Sequence, residues 1–99
     1  MIGELLRARG FEVTSVGSVA AGLAEIGRKK FEVLVSDLEL PDGSGFDLMR
    51  KLSANGGVRG IALSGRRTDE DLAASRSAGF HSHLLTPIDF EALVAAIEG

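Results

Sequence analysis

Val33-Leu34-Val35-Ser36-Asp37-Leu38-Glu39-Leu40-Pro41-Asp42-Gly43-Ser44-Gly45 passes from continuous apolar side chains into a polar, turn-forming segment. An apolar triplet without polar alternation fits a strand covered on both faces, as in a parallel sheet between helix layers. Pro41 and the two glycines make residues 38–45 a loop, and Ser44 with Asp47 forms a capping pair that predicts a helix through Leu52. A carboxylate, Asp37, therefore stands where a buried strand meets a loop. In open α/β sheets this is the end at which function gathers.

The same rhythm extends in both directions. Upstream, Ile2, Leu5 and Leu6 recur at helical spacing before Gly10, and residues 11–16 alternate apolar with polar side chains as a half-buried strand does. Ser18 then caps a helix that carries Val19, Leu23 and Ile26 on one face and ends in Arg28-Lys29-Lys30. Downstream, Asn55-Gly56-Gly57 is a turn, residues 58–63 form another buried strand ending at Ser64-Gly65, and Thr68 with Asp71 caps a helix over 69–78. Leu72 is the only large apolar residue of that helix, so it is expected to be the least firmly packed element. Residues 80–85 are a last strand, Thr86-Pro87 turns the chain, and Phe90, Leu93, Val94 and Ile97 mark a closing helix. Strict alternation with short connections predicts an α/β fold in which helices cover both faces of a parallel sheet. Ser36-Asp37, Ser64 and Thr86 are the polar residues at the strand ends.

Ninety-nine residues suffice for one domain, spanning 1–99. Eleven Lys and Arg against fourteen Asp and Glu give a formal charge of -3, which offers no electrostatic footprint for direct nucleic-acid or anionic-membrane binding. The absence of cysteine removes disulfides, thiolate zinc sites and cysteine nucleophiles, and a cytoplasmic location is expected. No run approaches the about 18 apolar residues of a membrane helix, and the first residues do not read as a signal peptide. Ala62 stands where a serine-hydrolase elbow requires glycine, and Leu48 where a dinucleotide fingerprint requires its third glycine. His81 and His83 share a face of the last strand but lack a third ligand nearby. Arg28-Lys29-Lys30 and Arg66-Arg67 are read as solvated charges.

Asp37 at a strand end, Pro41 and Gly45 after it, Ser64-Gly65 ending the next strand and Thr86-Pro87 ending the last form a combined pattern along the whole chain. It resembles the receiver domain of bacterial two-component response regulators and hybrid histidine kinases. The resemblance implies a flavodoxin-like, doubly wound parallel sheet and a signalling module rather than an enzyme. It implies that Asp37 is the phosphoacceptor for a histidine kinase or phosphotransfer protein, that Ser64 is the switch hydroxyl and that His83 holds the switch aromatic position. It also implies Mg²⁺, with Asp37 and the main-chain carbonyl of Glu39 as ligands.

Two departures stand beside these matches. A receiver begins with a strand followed by an acidic pair that holds the metal, and here the chain opens in the helix after them. The lysine that precedes the proline in the family is Thr86, a hydroxyl without charge. Four strands are thus expected, with the central one of the 2-1-3-4-5 order missing between residues 11–16 and 33–37. Either the flanking strands close up, or a strand arrives from another chain, or the sequence is a fragment of a longer protein, which is the expectation adopted. Function is read as phosphorelay signal transduction at Asp37, with a degenerate pseudo-receiver acting as a phosphorylation-independent interaction module as the alternative. A homodimer through the last helix-strand-helix face or through unpaired strand edges is a further expectation.

Overall fold

The computed structural model describes residues 2–55, 58–65 and 69–98. The chain enters through α1 (Ile2–Ala8) and continues to α2 (Val19–Arg28) and β1 (Val33–Asp37). A two-residue hairpin of β2 (Glu39–Leu40) and β3 (Gly43–Ser44) occupies the expected loop and leads into α3 (Gly45–Asn55). Then come β4 (Arg59–Ser64), α4 (Asp69–Ala78), β5 (Ser82–Leu85) and α5 (Phe90–Glu98).

The helix ends follow local chemistry. Gly10 (φ 95°) and Gly79 (φ 108°) take left-handed conformations that β-carbon-bearing residues resist, and so end α1 and α4. Behind each glycine the next residue closes the helix: Phe11 N–H donates to the Leu6 carbonyl at 3.1 Å and Phe80 N–H to that of Ser75 at 3.0 Å. At the start of α2, Ser18 Oγ accepts the Ala21 N–H at 3.1 Å, and Ser44 Oγ accepts the Phe46 N–H at 3.1 Å in the first turn of α3. The Thr68 cap, the Gly56-Gly57 turn and the Arg66-Arg67 pair lie outside the described residues.

The main sheet is parallel, in the order β1-β4-β5, with Asp37 opposite Leu63 and Ser64 opposite Leu85 at its carboxyl ends. Its central strand β4 sends alternate residues to opposite faces. Ile61 and Leu63 pack with Leu6, Leu93 and Val94 beneath α1 and α5, whereas Ala62 packs with Met49, Leu52, Ala78 and Phe80 beneath α3 and α4. Helices thus cover both faces, and the α/β expectation holds.

Its strand number does not. Residues 11–16 form no strand, so among the described residues the main sheet has three strands and not four. Their alternation is real as burial, because Phe11 and Val13 pack partly against the α1/α5 cluster. A ladder, however, needs a neighbour about 4.8 Å away. The intervening strand of the receiver order is not among these residues, and the segment does not close up onto β1. It is held instead by α1, where Arg7 Nη2 donates to the Val13 carbonyl at 2.9 Å. Among the described residues no helix is long and apolar enough to cross a membrane.

Candidate functional site

The carboxyl ends of the three parallel strands bring together residues that are far apart in sequence. Asp37 closes β1 and is exposed, while the main chain beneath it is fixed. Ser36 Oγ donates to the Asp37 main-chain oxygen at 2.8 Å, and Leu38 N–H donates to the Leu63 carbonyl at 3.1 Å, carrying the β1–β4 ladder one step past the carboxylate. Gly45 N–H returns to the Leu38 carbonyl at 3.1 Å, which folds the hairpin back over the strand end. Gly45 lies so close to the Asp37 carbonyl and Ser36 Oγ that a methyl group would collide with both.

Ser64 closes β4 one position beyond the residue paired with Asp37. Thr86 follows β5, and its N–H donates to the Ser64 carbonyl at 2.9 Å. The Thr86–Pro87 peptide is cis. Asp37, Ser64 and Thr86 therefore share the carboxyl end of the sheet: an exposed carboxylate on β1 and hydroxyl-bearing residues at the ends of β4 and β5. A carboxylate so placed can act as a nucleophile, and hydroxyls can donate to the oxygens of a bound oxyanion.

Two other sequence candidates lie on β2 and β5. Glu39 is exposed in β2, opposite Ser44. His83 lies inside the sheet rather than at its end, opposite Ala62, and is only 8% exposed. Ser75 Oγ of α4 and His83 Nδ1 share a hydrogen bond of 3.0 Å, whose direction depends on the imidazole tautomer. His81 precedes β5, is exposed, and uses Nδ1 to accept the Gly60 N–H at 3.2 Å. The two histidines therefore serve separate bonds.

The donor set does not fit a complete magnesium site. Mg²⁺ prefers about six oxygens in octahedral array. Among the described residues no three His, Cys, Asp or Glu side chains cluster, and the sequence reading names two protein donors, the Asp37 carboxylate and the Glu39 carbonyl.

The loop after Asp37 has an anchor that sequence reasoning missed. The two carboxylate oxygens of Asp42 accept the Val19 N–H at 2.7 Å and the Ala20 N–H at 3.0 Å, capping α2 from 22 to 23 residues away. The N–H groups of Ala20 and Val19 hold the Asp42 carboxyl below its usual range. Asp in a Pro-Asp-Gly turn signals the turn alone, so nothing local marks the remote helix. Ser75 was missed for a similar reason, since a lone serine in a polar helix carries no sign of what it faces.

Residues 1–98 match the response regulator receiver domain family. The chain is a receiver domain. This receiver is 33% identical over 95 residues to the probable transcriptional regulatory protein TcrX of Mycobacterium tuberculosis, covering 95% of this chain and 41% of that protein. It is 32% identical to the KDP operon transcriptional regulatory protein KdpE of Escherichia coli, covering 93% and 41% respectively. The chain thus spans about two-fifths of the length of these curated relatives. A response regulator from Burkholderia pseudomallei, solved with a phosphorylated aspartic acid, a calcium ion and citrate, superposes with a TM-score of 0.89 at 26% identity, covering 97% of this chain and 57% of that one. A CheY-like receiver from Methanospirillum hungatei gives 0.89 at 26% identity, covering 98% and 78%. The flavodoxin-like receiver fold and a role in two-component phosphorelay signalling follow from this membership.

Proposed function

We propose that this receiver takes up a phosphoryl group on Asp37. A carboxylate oxygen attacks phosphorus, the phosphorus–nitrogen bond of a phosphohistidine donor breaks, and the departing imidazole keeps the electron pair and is protonated by solvent. Asp37 becomes an acyl phosphate. The observation that carries the reading is the fixed main chain under an exposed carboxylate, with Ser64 and Thr86 at the same end of the sheet. Ser64 and Thr86 are proposed to donate hydrogen bonds to the phosphoryl oxygens. The Burkholderia relative, whose structure holds a phosphorylated aspartic acid, supports the same chemistry.

A histidine kinase or phosphotransfer protein is the proposed donor, and the cytoplasm the proposed location. The relatives named as transcriptional regulators make control of transcription the proposed output. The -3 charge gives this domain no electrostatic footprint for DNA. Leu85, 48% exposed on edge strand β5, supports a homodimer through the α4-β5-α5 face. No feature of the described residues favours the phosphorylation-independent alternative.

The test is intact-mass measurement after incubation with acetyl phosphate, with Asp37→Ala alongside. A gain the size of one phosphoryl group that the variant lacks is expected. An equal gain in Asp37→Ala, or no gain in a folded chain, would refute the assignment.

A further inference from the structure

The hairpin that follows Asp37 has little of its own to hold it in place. It pairs Glu39 with Ser44 and Leu40 with Gly43, and Pro41, Asp42 and Gly43 at its tip are exposed. A lone two-stranded hairpin is at best marginally stable in water, so its position depends on what it is tied to. Its base is tied to the sheet, through Gly45 N–H on the Leu38 carbonyl and Leu38 N–H on the Leu63 carbonyl. Its tip is tied to α2. The first three N–H groups of that helix, which no earlier turn can satisfy, are divided between two side chains. Asp42 accepts those of Val19 at 2.7 Å and Ala20 at 3.0 Å, and Ser18 accepts that of Ala21 at 3.1 Å. The Asp42 carboxylate also meets the positive end of the helix dipole. The Ser18 bond, by contrast, stays within the segment that enters α2.

Helix α2 is in turn fixed to α3. Val19 and Gly22 are buried, and Gly22 lies so near the Leu48 side chain of α3 that an added methyl carbon would meet Leu48 Cδ2 at 2.7 Å. Helix α3 begins at Gly45, close against the Asp37 carbonyl. The connections thus close a ring, from Asp37 through the hairpin and Asp42 to α2, then through α3 back to Asp37. Opening the ring at Asp42 frees the tip while the base stays attached, so Leu38 and Glu39, which adjoin the carboxylate, lose the restraint that reaches them from α2.

We propose that Asp42 is a positioning residue for phosphoryl uptake: by clamping the hairpin tip to the first turn of α2, it fixes the loop beside the Asp37 carboxylate in the geometry that attack on phosphorus requires. The role in uptake rests on the reading of Asp37 as phosphoacceptor; the clamp itself does not.

The test follows uptake from acetyl phosphate as intact mass over time in the full chain, for wild type, Asp42→Asn, Asp42→Ala and Ser18→Ala, and records the backbone amide NMR signals of each without phosphodonor. Ser18→Ala weakens the start of α2 and leaves the clamp in place, so it separates positioning from stability lost through the helix. Uptake should slow by about 10- to 100-fold in Asp42→Ala, the larger figure being the cost of about an ångström of misplacement. Asp42→Asn keeps one acceptor oxygen and should slow less. Ser18→Ala should keep the wild-type rate although its urea midpoint falls. The amide signals of Leu38 and Glu39 should move in the Asp42 variants, most in Asp42→Ala, and hold in Ser18→Ala. Wild-type uptake in Asp42→Ala, an equal slowing in Ser18→Ala, or unmoved Leu38 and Glu39 signals would overturn the proposal. If Asp42→Ala does not fold, Asp42→Asn against Ser18→Ala makes the same decision. Absence of uptake by folded wild type would refute the Asp37 reading and with it the role in uptake, and the amide signals would still decide the clamp.

Discussion

Replacing Gly45 with alanine sets a methyl group against the main-chain oxygen of Asp37 and about the same distance from Ser36 Oγ as a hydrogen bond spans, 2.6 Å. The Ser36 hydroxyl can rotate away at the loss of its bond to the Asp37 carbonyl. The carbonyl itself cannot, because β1 is locked to β4 in register on either side of it. Relief must come from moving the start of α3 or the end of β1. Forcing a methyl into a packed site costs about 1–3 kcal/mol, and at about 4–8 °C per kcal/mol for a domain of this size Tm should fall by roughly 5–20 °C. The comparison is Gly27→Ala, at an exposed position of α2, where nothing lies within 4 Å of the added carbon. That substitution removes freedom from the unfolded chain without a clash and should stabilise by about 0.4–1 kcal/mol. Thermal unfolding followed by circular dichroism reads both signs, and intact mass after acetyl phosphate should register slower uptake in Gly45→Ala alone. A Gly45→Ala chain as stable as Gly27→Ala, with unaltered uptake, would refute the close approach on which the geometry of Asp37 depends.

Leu93→Ala, which empties a fully buried place in the α1/α5 cluster, should cost about 2–5 kcal/mol in urea denaturation. Ser18→Ala should cost about 0.5–2 kcal/mol through the lost cap of α2, read in the same way. Asp42 gives a pH dependence of defined sign. Its folded carboxyl is depressed, so its contribution is present above the unfolded value near pH 4 and is lost as pH falls through the folded value. Urea midpoints of wild type and Asp42→Asn should therefore differ at pH 7 and converge as pH falls through the folded value; a gap that stays constant on acidification would rule the cap out as its source.

Much of the site was legible because it lies at strand ends. Asp37, Ser64 and Thr86 each follow an apolar run, and a parallel sheet gathers the ends of its strands by construction. His83 was named for its spacing from Thr86, and that spacing does not say which side of β5 carries the ring or what α4 offers it. Asp42 and Ser75 were invisible because their partners are Val19 and Ala20 in one case and a histidine on the next strand in the other.

The local periodicities of the sequence determined the order of helices and strands, the glycine stops at Gly10 and Gly79, the two-faced core and the carboxylate at the end of β1. These are set within one or two turns of chain, where side-chain spacing acts directly on burial. The tertiary structure decided what required a partner. Residues 11–16 carry the alternation of a strand but form none, because a ladder is a property of two neighbouring backbones and not of one. The cap of α2 by Asp42 and the seat of His83 against Ser75 exist only because the fold places their hydrogen-bonding groups within reach.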